Sequence, residues 1–293
     1  MSADSAHEFE KANRLIDRIA SLRSVAVAFS GGVDSSVVAA AASRAGLDVA
    51  IAVTAQSPSL ASSQLEIAIR VANEIGIEHR VIETDEINQD AYRRNDGRRC
   101  FYCKQTLYQA MAAIAEQFPQ LKIISGTNVD DLGDYRPGLE AAANAGVISP
   151  LADLGFTKSD VRELAKHFGL SNDDQPAAPC LASRVAYGTE VTAERLRRIE
   201  QAESWLATRG FTEFRVRLHD RELARVEVPK HQIAELIHLD TDGSMTNAFL
   251  SYGFKFVTID TRGFRSGSLN EMLVSISIPA TPLSIHSTGE SES

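Results

Sequence analysis

Ser30-Gly31-Gly32-Val33-Asp34-Ser35-Ser36 follows a short apolar run, Val25 to Phe29, and precedes a run with helical patterning, Val37 to Ala45. Strand, glycine turn and helix in that order make a phosphate-binding arrangement. The two glycines let the backbone come close to a phosphate, and the first amides of the following helix point at it. Ser30, Ser35 and Ser36 add hydroxyl donors, and Asp34 can hold a magnesium ion. The pattern is not a Walker A loop, because no lysine follows the glycines and the spacing is too short.

Outward from this loop, the first half of the chain alternates strand and helix. An amphipathic helix, about Phe9 to Ser21, opens it. Strand-like runs follow at Val25 to Phe29, Val49 to Val53, His79 to Ile82, Lys122 to Ile124 and Val147 to Ser149. Helical patterns lie between them at Ser36 to Ala45, Leu60 to Ile75, Cys103 to Glu116 and Gly133 to Asn144. This alternation predicts an α/β fold with a doubly wound parallel sheet, whose ligands bind beyond the carboxyl ends of the strands. Thr157 to Asp160 reads as the cap and first turn of a further helix. Ser171 to Pro179, polar and carrying Pro176 and Pro179, reads as a linker or mobile loop. Beyond it come a helix from Thr192 to near Gly210, alternating runs at Phe214 to Leu218 and Ala224 to Val228, a helix from Lys230 and a strand at Phe254 to Asp260. The expected organisation is a nucleotide domain over 1–175, a smaller α+β domain over 176–280, and a disordered tail over 281–293.

Composition narrows the function classes. The chain has 293 residues, 44% of them apolar, and a net charge of −9. No apolar run is long enough to span a membrane, and Met1 to Glu10 lacks the features of a signal peptide. A cytoplasmic location is the default expectation. The acidic balance argues against a large nucleic-acid footprint. Arginines nevertheless crowd the later segment between Arg184 and Arg225, where an anionic small molecule would suit them; for Arg195, Arg197 and Arg198 a solvated helix face is the preferred reading.

Two further motifs carry chemistry. Ser125-Gly126-Thr127-Asn128-Val129-Asp130-Asp131 follows the fourth strand, and its polar groups can contact nucleotide, metal or substrate; alone, it also fits an Asn/Asp-rich turn capping a helix. Beside the glycine loop the functional reading gains weight. Arg136, just beyond, can pair with a phosphate or carboxylate, or with Asp134 or Glu140. The three cysteines are Cys100 and Cys103, spaced C-x-x-C in Arg98-Arg99-Cys100-Phe101-Tyr102-Cys103-Lys104, and Cys180. Basic neighbours are expected to favour thiolate. An odd number of thiols points away from a disulfide framework and toward metal binding or reactive thiols. Three thiols suit an iron–sulfur cluster with one iron left open, whereas a structural zinc would need a fourth ligand, for which the spacing of His79 and His167 gives no support. Three unrelated thiols, or one reactive Cys180 beside Arg184, are the other readings.

The glycine loop resembles the SGGxDS loop of the N-type ATP pyrophosphatases. Nearly the whole chain, Phe9 to Met272, resembles the LarE family of ATP-dependent sulfur transferases within that superfamily. The resemblance rests on SGGVDSS at Ser30 to Ser36, RCFYCK at Arg99 to Lys104, SGTNVDDLGDYRPG at Ser125 to Gly138, PCLASR at Pro179 to Arg184, FRVRLHD at Phe214 to Asp220, and DTRGFRSGSLNE at Asp260 to Glu271. It implies ATP and Mg²⁺ as cofactors and an anionic nucleotide substrate, a pyridinium biscarboxylic acid mononucleotide on the route to the nickel-pincer nucleotide. ATP adenylates a substrate carboxylate, and sulfur then displaces AMP. In one branch of the family the sulfur comes from a sacrificed cysteine at the position of Cys180. In another, three cysteines at the positions of Cys100, Cys103 and Cys180 hold a 4Fe-4S cluster; this chain has all three. The resemblance places Ser30, Gly31, Gly32, Asp34, Ser35, Ser36, Gly126, Thr127, Asn128 and Arg136 at the nucleotide, with Asp34 on magnesium. It places Arg184, Arg215, Arg217, Glu227 and Arg262 near the substrate, with Cys180, Asp34 and Arg184 catalytic, and it implies a homo-hexamer and a sulfur donor as partners. Arg215 and Arg217, two apart on one strand, share a face, which suits one phosphate. An amidating synthetase, a tRNA-thiolating enzyme and a non-catalytic nucleotide or iron–sulfur protein are the competing classes.

Overall fold

The computed structural model describes residues 3–118, 120–133, 137–176, 178–265 and 269. Helix α1 (Ala3–Ala20) leads into β1 (Ser24–Ala28), α2 (Val33–Arg44), β2 (Val49–Gln56), α3 (Ser62–Ile75) and β3 (Glu78–Glu83). The short α4 (Asp90–Arg93), α5 (Arg99–Ala115), β4 (Lys122–Ile124), α6 (Pro137–Asn144), the short α7 (Pro150–Asp153) and α8 (Lys158–His167) follow. The four strands form a parallel sheet in the order β3-β2-β1-β4.

Parallel strands are covered on both faces, so side chains on either side of the pleat must be apolar. Val25 and Val27 of β1 and Ala52 of β2 join one buried cluster with Leu15 and Ile19 of α1, Val37 and Val38 of α2, Val71 of α3 and Leu164 of α8. Their alternate neighbours Ala26, Ile51 and Val53 pack on the other face against Tyr108, Met111 and Ile114 of α5 and Ala142 of α6. The sheet is therefore doubly wound. Helix α2 lies inside one layer, with Val37 to Ala42 almost without exposure, which explains its run of small residues.

A second sheet has the order β5-β6-β7, from β5 (Arg215–His219), β6 (Leu223–Glu227) and β7 (Phe256–Ile259). The first pair is antiparallel and the second parallel. Helices α9 (Ala193–Ala207), α10 (Ile233–Leu239) and α11 (Ser244–Tyr252) accompany it. Its core, including Leu196, Ile199, Val216, Leu218, Val226 and Phe249, also takes in Tyr92 from α4 and Leu181 and Val185 from beyond the long loop.

Three expectations are corrected. The strand expected at Val147 to Ser149 is a lone bridge from Ile148 to Ile124. Pro150 follows at once and opens α7, and it lacks the N–H that a ladder needs. The helix expected from Cys103 begins at Arg99, so both cysteines of the C-x-x-C lie in its first turns. The helix expected over Gly133 to Asn144 is a 3-10 turn, Val129–Gly133, then α6 from Pro137. Arg136 and the tail over 281–293 lie outside the described residues.

Helix α8 is tied to α1 by Lys11, which bonds Asp160 and, at 2.9 Å, Glu163. Burial opposes the Asp160 charge, but the Lys11 ammonium and the Thr157 amide and hydroxyl outweigh it and hold the carboxyl down to about 2. The unfolded value is about 3.9. The contribution to stability is thus full above that value and is lost as pH falls toward about 2. Asp160→Asn should cost about 1 kcal/mol in urea unfolding at pH 7, a surface ion pair being screened, and wild type and variant should converge as pH falls toward about 2. A cost that does not shrink in acid would show that the pair contributes nothing.

Candidate functional site

The glycine loop sits at the carboxyl end of β1. Phe29 continues the strand, its amide donating to the Val53 carbonyl at 2.8 Å. Gly31 then turns the chain with φ +71°, and a Cβ there would lie 2.7 Å from the Ala68 Cα. Ser35 closes the loop on itself: its Oγ accepts from the Ser30 amide at 3.2 Å and donates to the Gly32 carbonyl at 3.0 Å. Gly32 is the N-cap of α2 with no side-chain cap, so the helix's first amides are left for a ligand.

The second loop, from the end of β4, packs directly on the first. A Cβ on Gly126 would stand 2.7 Å from both the Asp34 carbonyl carbon and the Ser35 nitrogen. Asn128 is buried; its Nδ2 donates to Asp34 Oδ1 at 3.0 Å, and its Oδ1 accepts from the Asp130 and Asp131 amides at 3.0 and 3.3 Å. Lys158 completes the arrangement by pairing with Asp34 Oδ2.

Both loops open on one cavity of about 950 Å³. Ser30, Asp34, Ser35, Gly126, Thr127 and Asp131 line one end, and Arg99, Cys100, Cys103, Cys180 and Ser183 line another part of the wall. Gly31, Gly32, Ser36 and Asn128 are not wall residues; they sit behind it. Buried Asn172 braces Gly31 and Ser36, its Nδ2 donating to the Gly31 carbonyl at 2.8 Å and to Ser36 Oγ at 2.9 Å.

The thiol environments correct one expectation. Cys103 is not a favoured thiolate: burial, then the nearby Cys180 and Glu86, push its thiol up to about 12, and Lys104 offsets this only in part. Arg98 is turned away to Glu140, at 2.9 Å. Neither histidine weighed as a fourth metal ligand lines the cavity: His79 Nε2 bonds Thr54 Oγ1 at 2.8 Å, and His167 packs on Phe9 and Phe168. Among the described residues no three His, Cys, Asp or Glu side chains are placed to hold a single metal ion.

The arginines expected near the substrate are not on the cavity wall. Arg184 is buried and meets Glu203 through Nε and Nη2, each at 3.1 Å, while Nη1 donates to the Cys180 carbonyl at 3.0 Å. Arg217 pairs with fully buried Glu227 at 3.0 Å and donates to the Ser183 carbonyl at 3.2 Å. Arg215 makes no direct ion pair among the described residues, although Glu203 and Glu227 lie near enough to act on it; it donates to the Phe214 carbonyl at 2.6 Å and covers the Phe264 ring. Arg262 sits in a turn, its amide bonded to Asp260 at 2.8 Å. Arg195 and Arg198 are engaged with Glu222, at 2.6 and 2.8 Å.

Sequence reasoning missed Lys158, Asn172 and Glu86. Glu86 is 3% exposed and lines the cavity; Ser57 and Ser59 donate to its Oε1 at 2.6 and 3.2 Å, and Oε2 has no partner among the described residues. These residues act through partners distant in sequence, and no local motif marks them.

A family model described as Asparagine synthase matches residues 13–94. A solved structure of NMN synthetase from Francisella tularensis is similar with a TM-score of 0.47 at 20% identity, over 58% of this chain and 75% of that one. An uncharacterized protein of Synechocystis is 41% identical over 84% of this chain and 92% of its own length. Pyridinium-3,5-bisthiocarboxylic acid mononucleotide synthase of Lactiplantibacillus plantarum is 34% identical over 88% of this chain and 93% of its own. On that identity and coverage, the chain belongs to the LarE family, with the α/β fold of the N-type ATP pyrophosphatases.

Proposed function

We propose that the chain adenylates a carboxylate of a pyridinium biscarboxylic acid mononucleotide with ATP and replaces AMP by sulfur, making a thiocarboxylate. One observation carries this reading: the nucleotide loops and all three cysteines line one cavity. The printed name of the Lactiplantibacillus plantarum relative supplies the substrate class.

A carboxylate is a poor electrophile at neutral pH. In the first step its oxygen attacks the α-phosphorus of ATP, and the bond to pyrophosphate breaks. The α2 amides and the Ser30 and Ser35 hydroxyls would face the phosphates, with Gly126 and Thr127 on the wall of the nucleotide end and Asn128 behind it, holding Asp34. Magnesium fits at Asp34, because that carboxylate already holds a cation, the Lys158 ammonium, at the cavity wall. There the ion would neutralise charge building on pyrophosphate. By the family resemblance the substrate phosphate would go to Arg215 and Arg217, the latter ordered by Glu227, with Arg184 and Arg262 nearby.

In the second step a sulfur lone pair attacks the acyl carbon and the C–O bond to AMP breaks. Cys100, Cys103 and Cys180 would hold a 4Fe-4S cluster; three thiols on one wall fit its donor set and leave one iron without a protein ligand. When bound, the cluster would supply sulfide on that iron. A second reading rests on Cys180 alone, whose carbonyl Arg184 fixes beside the cavity. Its sulfur would form the thioester, and loss of the Cα proton with cleavage of Cβ–S would then leave dehydroalanine. The reading places the enzyme in the cytoplasm, where thiols stay reduced, as a homo-oligomer acting on a small anionic nucleotide.

Asp34→Asn should lower substrate-dependent pyrophosphate release on the order of 10²-fold or more; retained release would move the metal elsewhere. Mass spectrometry of Cys180 after turnover separates the sulfur sources. An intact thiol with sulfurated product supports the cluster route, and loss of the mass of H₂S from Cys180 supports its sacrifice.

A further inference from the structure

Three arginines are buried among the described residues: Arg99, Arg184 and Arg217. Arg184 has Glu203 and Arg217 has Glu227. Arg99, 5% exposed and on the cavity wall, has no carboxylate partner among the described residues. A charge this far from water is ordinarily paired. Among ionisable groups Cys180, Cys100, Tyr92 and Tyr187 act on it most strongly, and its guanidinium lies over the Tyr187 ring, 5.8 Å from the centroid.

The guanidinium is anchored through one nitrogen. Its Nη1 donates to the Ala182 carbonyl at 2.8 Å and to Asn95 Oδ1. Asn95 is fully buried, with φ +54°, and its Nδ2 donates to the Ala186 and Thr189 carbonyls at 2.8 and 2.9 Å. Asn is one of the few non-glycine residues that takes this left-handed region readily. All hydrogen bonds of Arg99 go through Nη1; Nε and Nη2 have no protein acceptor among the described residues.

Resting on the proposed function, we propose that the open Nε–Nη2 edge of Arg99 binds the anionic sulfur nucleophile, of the hydrosulfide class, that displaces AMP. The hydrosulfide lone pair forms the C–S bond. The C–O bond to AMP breaks with its electrons leaving on AMP, and the sulfur proton passes to solvent, so the product is the thiocarboxylate. The planar fork suits a small anion, and the neighbouring thiols place that anion at the sulfur end of the cavity.

The test uses the full chain without added iron, alkylated in parallel with iodoacetate and iodoacetamide. Rates at Cys100 and Cys180 are read by peptide mass spectrometry. A bound carboxylate on Arg99 brings the reagent to the thiols, so the iodoacetate-to-iodoacetamide ratio should exceed that of free cysteine by about tenfold and fall with added NaCl. Arg99→Met should return the ratio to the free-cysteine value, and Arg99→Lys should keep most of it. A purely structural role would move both reagents together and leave the ratio alone. A wild-type ratio equal to that of free cysteine, or an unchanged ratio in Arg99→Met, overturns the proposal. If Arg99→Met does not fold, the wild-type ratio, its salt dependence and Arg99→Lys decide. Absence of substrate-dependent pyrophosphate release in wild type would instead sink the adenylation reading and leave the anion site standing.

Discussion

The backbone of Gly126 rests against the backbone of Asp34 and Ser35, closer than any side chain would allow. That contact exists because β1 and β4 are parallel neighbours whose loops leave the sheet at the same edge. It fixes the start of α2, the height of Asp34 and the floor of the nucleotide end together. Asn128 and Lys158 then need only one carboxylate to bind, and Asn172 needs only one turn to brace. A methyl group at position 126 would push the two loops apart and disturb all of these at once.

A second joint does comparable service at the cysteine end. Asn95 and Arg99 tie the start of α5 to the chain between Ala182 and Thr189. Cys100 and Cys103 ride on that helix, and Cys180 lies just before the tied segment. Arg184 holds the same segment from the other side through the Cys180 carbonyl and Glu203. The three thiols therefore line one cavity along a seam between the two cores.

The alternation of strands and helices was legible because a strand buried on both faces must read as an apolar run, and β1 and β2 do. The glycine loop and the C-x-x-C were legible because their chemistry is local. Three kinds of information were not. The short run at Ile148 looks like a strand until Pro150 is seen to end its ladder. The charge beside Cys103 depends on direction: Arg98 points to Glu140, and burial outweighs Lys104. Lys158 reaches Asp34, and Asn172 reaches Gly31, across separations of 124 and 141 residues, which no spacing rule anticipates.

The placement of charge along the cavity argues for two chemistries kept apart. Glu86 and Arg99 line the same cavity, both are buried, and yet they do not pair. The reason is visible in their anchors. Ser57 and Ser59 hold Glu86 Oε1 on the side of β2, whereas Asn95 and the Ala182 carbonyl hold Arg99 Nη1 on the side of the cysteine loop. Asp34 is likewise occupied, by Lys158 and Asn128 at the nucleotide end. Glu86 and Asp34 are thus each anchored by hydrogen bonds of their own. A buried cation left open in this way costs folding stability. An anion bound at its open edge, as proposed above, would offset that cost.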